Sequence, residues 1–252
     1  MLKILVERIK QGKRTIKFPK NVPLFPDRYR GLPVINTSRC RTGCNACLDA
    51  CPTDALTLAN KGIAIDLGKC LFCMDCEAAC PNGGIKFSQD FRLATKNRHD
   101  LMFSGGELRL ASALDEKARR IFGRSLKLRE ISAGGCNACE ADVNVLATTV
   151  FDLGRFRIQF VASPRHADGI LVTGPITENM RSAVIETHKA VPSPDIVIAV
   201  GSCAISGGPY LGHEEVGNGL DTLFPVDLYV PGCPPHPLTI LDGLLRLLGK
   251  IK

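Results

Sequence analysis

A chain of 252 residues, 45% apolar and 23% charged, has room for a small core beside a medium one and is not built like a disordered chain. No apolar run approaches the roughly 18 residues of a membrane span; the longest, such as Ile196 to Val200, have strand length. The net charge of +7 is uneven, with 17 Lys and Arg against 8 Asp and Glu in residues 1–98 and 15 against 17 in residues 99–252.

Residues 1–27 read as a basic arm. Lys3, Arg8, Lys10, Lys13, Arg14, Lys17 and Lys20 face a single acid, Glu7, with Leu2, Ile4, Leu5, Val6 and Ile9 interleaved. The stretch has neither an apolar h-region nor a small-residue cleavage site, so it is not a secretory signal and a cytosolic location is expected. Such a composition suits an anionic membrane surface, an acidic partner or nucleic acid, and equally a solvated, partly ordered terminus. Nucleic acid is the poorest match, because the chain has no Trp, no aromatic stacking pattern and no helix-turn-helix or zinc-finger spacing.

Twelve cysteines in a reducing compartment argue for metal ligation over disulfides. Cys40, Cys44, Cys47 and Cys51 precede Pro52, and Cys70, Cys73, Cys76 and Cys80 precede Pro81. The second run is C-x2-C-x2-C-x3-C-P, the spacing of two-cluster ferredoxins, in which three thiolates wrap one cubane and the fourth ligates the other. One 4Fe-4S cluster is therefore expected on Cys40, Cys44, Cys47 and Cys80, and a second on Cys70, Cys73, Cys76 and Cys51. Cys44, Cys47 and Cys51 recur 29 residues later, and strand-like segments follow each proline, so this is a duplicated half-domain. The first gap holds one extra residue, Arg41-Thr42-Gly43, which a bulge at Gly43 can absorb. Paired zinc sites are the alternative, although those usually show two C-x-x-C pairs separated by a longer loop.

Ser104-Gly105-Gly106 marks a boundary, and Leu108, Ala111, Leu114, Ala118 and Ile121 at helical spacing predict an amphipathic linker helix over 107–122. Further on, strands are expected at 126–131, 156–162, 169–174, 195–201 and 227–232, with helices from about 136 to 150, at 178–190 and at 237–248. The alternation predicts a mostly parallel sheet whose sites lie beyond the carboxyl ends of its strands. Cys136 and Cys139, Cys203, and Cys233 all fall at such exits, beside Gly135, Gly201 and Gly232. That placement suits a third cluster; scattered buried thiols are the alternative.

Residues 126–248 resemble the small cluster-bearing subunit shared by energy-converting (group 4, formate hydrogenlyase-like) nickel-iron hydrogenases and complex I (its 20 kDa-type subunit). The resemblance is carried by Gly135-Cys136-Asn137-Ala138-Cys139-Glu140, Ser163-Pro164-Arg165-His166-Ala167-Asp168, Thr173-Gly174-Pro175, Gly201-Ser202-Cys203 and Gly232-Cys233-Pro234-Pro235. Residues 25–90, including Arg28-Tyr29-Arg30-Gly31, resemble the two-cluster ferredoxin-type subunit of the same complexes. Cys136-x-x-Cys139 is similar to the hydrogenase form, whereas complex I subunits carry two adjacent cysteines there.

The resemblance implies a basic arm (1–27), an α+β ferredoxin-like domain (28–98), a linker helix (99–125) and an α/β, flavodoxin-like domain with a mostly parallel sheet (126–252). It implies three 4Fe-4S clusters, the third on Cys136, Cys139, Cys203 and Cys233, and no catalytic residue on this chain, since no cysteine is left for nickel. Expected partners are a nickel-iron large subunit (or a complex I 49 kDa-like subunit), membrane-embedded subunits of the same complex, and a formate or carbon monoxide dehydrogenase or a soluble ferredoxin. The expected place is the inner face of the cell membrane, as a peripheral subunit. Glu140 is a candidate for a proton route or subunit interface, and otherwise an acid favoured by the dipole in a first helical turn. Arg165, His166 and Asp168 are candidates for hydrogen bonds to cluster sulfurs or to a partner.

Overall fold

A computed structural model describes residues 2–41, 43–59 and 62–251. In chain order its elements are α1 (Leu2–Gln11), β1 (Pro33–Ile35), α2 (Ala46–Asp49), β2 (Leu56–Ala59), β3 (Gly62–Asp66), α3 (Asp75–Ala79), β4 (Ile85–Phe87), β5 (Met102–Phe103) and α4 (Glu116–Phe122). They continue with β6 (Leu126–Ser132), α5 (Ala138–Asn144), β7 (Ile158–Phe160), β8 (Gly169–Thr173), α6 (Glu178–Lys189), β9 (Ile196–Val200), α7 (Ser202–Ser206), β10 (Leu228–Val230) and α8 (Pro237–Leu247).

The duplication read from the cysteines is visible in the backbone. Helices α2 and α3 and strands β2 and β4 follow one another at the repeat offset; β1 pairs antiparallel with β4, and β2 antiparallel with β3, which β5 extends. The remaining strands form one five-stranded parallel sheet in the order β10-β9-β8-β6-β7. Residues Ile196 to Val200 are buried throughout, as a parallel strand covered on both faces requires. Alternate residues of β9 enter different cores. Val197 and Ala199 pack with Ala55, Leu67, Phe72 and Leu101 of the cysteine-rich half, while Ile196, Ile198 and Val200 pack with Leu241, Leu244 and Leu245 of α8. The cysteine-rich half is thus one cover of the sheet.

All eleven residues of α8 are buried. Its six buried leucine and isoleucine side chains, at about 1.5–3 kcal/mol each, make it the largest single source of hydrophobic stability in the C-terminal half.

The expected helix over 107–122 forms only as Glu116–Phe122. Asp115 caps it by accepting from the Ala118 N–H at 2.8 Å, which fixes its start. Upstream the chain is an extended strap whose amides bond elsewhere, Ala111 N–H to the Ala94 carbonyl and Leu114 N–H to the Leu247 carbonyl, so Ala111 and Leu114 are buried without a helix. The helix expected to about residue 150 likewise stops at Asn144, followed by a 3-10 turn. The strand expected from 156 begins at Ile158, because a 3-10 turn ends at left-handed Arg157. The segment after the basic stretch is not loose. Ile16 N–H bonds the Val150 carbonyl, the Arg155 guanidinium donates to the carbonyls of Ile16 and Phe18 at 2.9 and 3.0 Å, and Phe18 is buried.

Candidate iron-sulfur centre

All twelve thiols are unpaired by disulfides. Their mutual electrostatic influence sorts them into three sets. Cys47 feels Cys80, Cys40 and Cys44, and these four line one small hollow with Ile63 and Pro81. Cys70 feels Cys76, Cys51 and Cys73. Cys139 feels Cys203, Cys233 and Cys136. The fourth cysteine of each N-terminal run thus stands with the first three of the other run.

Hydrogen bonds reproduce the same exchange. The Ala55 N–H donates to Cys51 Sγ at 3.2 Å, and its repeat-mate, the Gly84 N–H, donates to Cys80 Sγ at 3.1 Å. Thr53 Oγ1 donates to the Lys69 carbonyl at 2.9 Å, just before Cys70, while Asn82 Nδ2 donates to the Arg39 carbonyl at 3.0 Å, just before Cys40. Each post-cysteine turn therefore clamps the start of the opposite run. Asp66 closes the second run by receiving both Arg98 amino groups, at 2.8 and 2.7 Å, together with the Gly68 N–H. Gly43, beside the extra residue, takes φ +78 with open space around it, a backbone conformation that favours glycine.

In the C-terminal half the cysteines follow the ends of β6, β9 and β10. Turning out of a strand into a thiol-bearing loop needs a tight backbone, and here glycine is required. A Cβ on Gly201 (φ +88) would lie 2.5 Å from Cys139 Sγ, and one on Gly208 (φ +57) 2.8 Å from Cys203 Sγ. Cys136 and Cys233 remain exposed.

Charge balance describes what these hollows want. Burial, then the neighbouring thiols, pushes Cys70 and Cys203 up to about 12, and Cys139 higher still. Cys76 also reaches about 12. Burial acts upward on Cys80 too, but the amides of Gly84, Asn82, Ile85 and Gly83 outweigh it and bring the thiol below its ordinary value. Buried thiols that repel one another are ligands waiting for positive charge, which a bound metal group supplies while the thiols lose their protons. Thiolate donors with N–H···S bonds suit iron-sulfur clusters.

The sets are neighbours. The charge of Cys47 reaches Cys76 and that of Cys73 reaches Cys233, so the middle set stands within electrostatic range of both others. Two contacts that sequence reasoning passed over hold the second run here, one from across the halves and one from within the cysteine-rich half. Ser202 Oγ donates to the Cys70 carbonyl at 2.7 Å, and the Arg30 guanidinium donates to the carbonyls of Phe72 and Cys73, both at 3.1 Å.

Glu140 is buried in the first turn of α5, where Ser132 Oγ and Thr173 Oγ1 donate to it at 2.6 and 2.7 Å. Burial works against its charge, yet these bonds prevail and hold the carboxyl below its ordinary value. Across a cleft lined also by Asn137, Asn144 and Phe160 stands Glu130, missed in the sequence because it lies mid-strand. Its Oε1 is buried without a partner, and burial together with Glu140's charge raises it to about 7. The expectation that Asp168 adjoins cluster sulfur is corrected. It precedes β8, at the amino end of the sheet, where it accepts from the Lys127 N–H at 2.7 Å and fixes the start of β6, whereas the cysteines lie at the carboxyl ends. Arg165 and His166 are exposed on the turn leading to it.

Comparison with known proteins agrees with this division. Residues 136–247 match the family described as NADH ubiquinone oxidoreductase, 20 Kd subunit, and residues 32–92 match a 4Fe-4S dicluster domain. The chain is 41% identical to formate hydrogenlyase subunit 7 of Escherichia coli (strain K12) over 51% of its own length, and spans about half (51%) of that relative. It is 39% identical to the probable membrane-bound hydrogenase subunit mbhJ of Pyrococcus furiosus over 52% of its own length and 79% of the relative. With an NADH-quinone oxidoreductase subunit of Clostridium beijerinckii it shares 44% identity over 46% of its length and 70% of the relative. A chain from a structure of the membrane-bound sulfane sulfur reductase, an archaeal respiratory membrane complex, aligns at 33% identity and a TM-score of 0.47, covering 54% of this chain and 75% of that one. The protein belongs to the family of the 20 kDa subunit of NADH ubiquinone oxidoreductase, a family of oxidoreductase electron-transfer subunits, and carries a 4Fe-4S dicluster domain ahead of it.

Proposed function

We propose that the chain is the electron-relay subunit of a membrane-associated nickel-iron hydrogenase, with 4Fe-4S clusters on three thiol sets: Cys40, Cys44, Cys47 and Cys80; Cys51, Cys70, Cys73 and Cys76; Cys136, Cys139, Cys203 and Cys233. A bound 4Fe-4S cluster supplies one-electron transfer. The observation that carries the reading is the nearness of the sets, with Cys76 within electrostatic range of Cys47 and Cys233 within that of Cys73, which suits a relay better than three separate structural sites. The protein's own residues hold that order: Ser202 fixes the backbone of the middle run against the C-terminal half, Arg30 braces the same run from within the cysteine-rich half, and the N–H···S bond to Cys80 favours its thiolate. A ferredoxin-like domain over 28–98 and a flavodoxin-like one over 126–252 match this division of labour.

Exposed Cys136 and Cys233 mark the side on which a nickel-bearing large subunit would sit, with Glu140 as the carboxylate at that interface. A formate or carbon monoxide dehydrogenase, or a soluble ferredoxin, would serve the first set. No helix among the described residues is long and apolar enough to cross a membrane, so attachment at the inner face would go through other subunits or through the chain's surface. The Cys136-x-x-Cys139-Glu140 form and the hydrogenase names among the relatives support this branch. The 44% identity to a quinone oxidoreductase subunit favours a second reading, a complex I-like relay without hydrogen chemistry. Purification of the intact complex with a nickel assay and a hydrogen-evolution assay decides between them. Nickel and hydrogen evolution are expected; a nickel-free complex that reduces quinone or ferredoxin overturns the hydrogenase reading.

A further inference from the structure

Helix α1 has no role in holding thiols, and none of its residues is buried. Leu2, Leu5, Val6 and Ile9 nevertheless recur at helical spacing along one stripe about 100° wide. They are 79%, 61%, 42% and 80% exposed, an apolar face that no described residue of the chain covers. Lys3 and Lys10 flank one side of the stripe and Arg8 the other, and exposed Lys13, Arg14, Lys17 and Lys20 follow. A ten-residue helix is marginal in water unless its apolar face is covered.

We propose that α1 lies flat in the headgroup region of an anionic membrane, burying the Leu2, Leu5, Val6 and Ile9 stripe while its basic flanks meet lipid phosphates. Seven cations against one acid over residues 2–20 supply the charge complementarity for that surface, and apolar residues bounded by basic ones are what an interfacial helix needs. An acidic protein groove would match the charge less well, because the cations continue beyond the helix as an exposed run. The anchorage is also stiff on the protein side. Thr15 Oγ1 donates to the Thr149 carbonyl at 2.8 Å and Arg155 holds the Ile16 and Phe18 carbonyls, so a helix seated in lipid would orient the sheet and its thiol sets above the bilayer.

The test is sedimentation of the full cluster-bearing chain with vesicles of phosphatidylcholine alone or mixed with phosphatidylglycerol. Binding to the anionic vesicles is expected to be at least about tenfold tighter, to weaken with salt, and to fall about tenfold in the L5E/I9E variant and again in the K3Q/R8Q/K10Q variant. Equal binding to both lipids, no binding to either, or unchanged binding in either variant overturns the proposal; binding only in the presence of an acidic partner subunit does so too. Because no α1 residue is buried, both variants should keep the parent's iron content, read on the same samples, so a failure of the relay reading would show separately.

Discussion

Eight cysteines lie close in sequence between Cys40 and Cys80, and short local motifs arrange them; four are scattered between Cys136 and Cys233, and only a folded parallel sheet brings them together. In the first region three of the thiols belong to the core, Cys47, Cys70 and Cys76 being buried among Ala55, Leu67 and Ile85, while Cys40 is exposed and the other four are half-buried. In the second no thiol is in the core: Cys136 and Cys233 are exposed past the ends of β6 and β10, and Cys139 and Cys203, half-buried, sit in the first turns of α5 and α7. The same donor chemistry therefore depends on folding in opposite ways. Metal and fold should be coupled in the N-terminal half and separable in the C-terminal half.

The largest expected effect comes from substitutions that separate the two halves. Gly201→Ala drives a Cβ to 2.5 Å from Cys139 Sγ at φ +88. It should cost about four of about twelve irons while circular dichroism of the sheet persists; Cys76→Ser should lose a similar amount of iron and also expose residues 32–92 to protease. Equal protease resistance in the two variants would break the comparison. The crossed fourth ligand is tested next. With the middle set removed by Cys51→Ser, the two remaining clusters should lose their magnetic coupling in electron paramagnetic resonance, whereas Cys80→Ser should leave a coupled pair; the reverse outcome would mean that the runs are not exchanged.

A smaller effect is expected at the seam. Ser202 is 1% exposed, and Ser202→Ala leaves the Cys70 carbonyl without its donor, at a cost of about 1–3 kcal/mol and several degrees of Tm. The smallest concerns pH. Glu130 has its folded pKa raised from an ordinary 4.5 to about 7, so its contribution to stability is present below about 4.5 and is lost as pH rises through 7. Glu130→Gln should match the parent near pH 4.5 and exceed it at pH 8.5 by about 1 kcal/mol, allowing for the solvent that reaches this side chain. Parallel melting curves at both pH values would contradict the assignment.

The repeat made the N-terminal arrangement readable, because ligand spacing is local. The same repeat contained a signal left unread: Thr53 and Asn82 stand at equivalent places and clamp opposite runs. The strand exits of Cys136, Cys139, Cys203 and Cys233 were readable from periodicity. Which end of the sheet Asp168 occupies was not, since it depends on the register of β6 against β8. Residues 107–115 carry helical spacing yet run extended, because Ala94 and Leu247, distant in sequence, offer their amides better partners than a helix would. The basic arm was legible as composition; the docking of residues 15–18 on Val150 and Arg155 was not, because it depends on contacts more than a hundred residues away in sequence.

The most direct test of the account is iron, acid-labile sulfide and zinc analysis of the anaerobically purified chain, with Mössbauer spectra of the same sample. Three thiol sets of four predict about twelve iron and twelve sulfide per chain, all in cubane clusters. About eight of each would leave Cys136, Cys139, Cys203 and Cys233 without a cluster, and about three zinc ions in place of iron would contradict electron relay altogether.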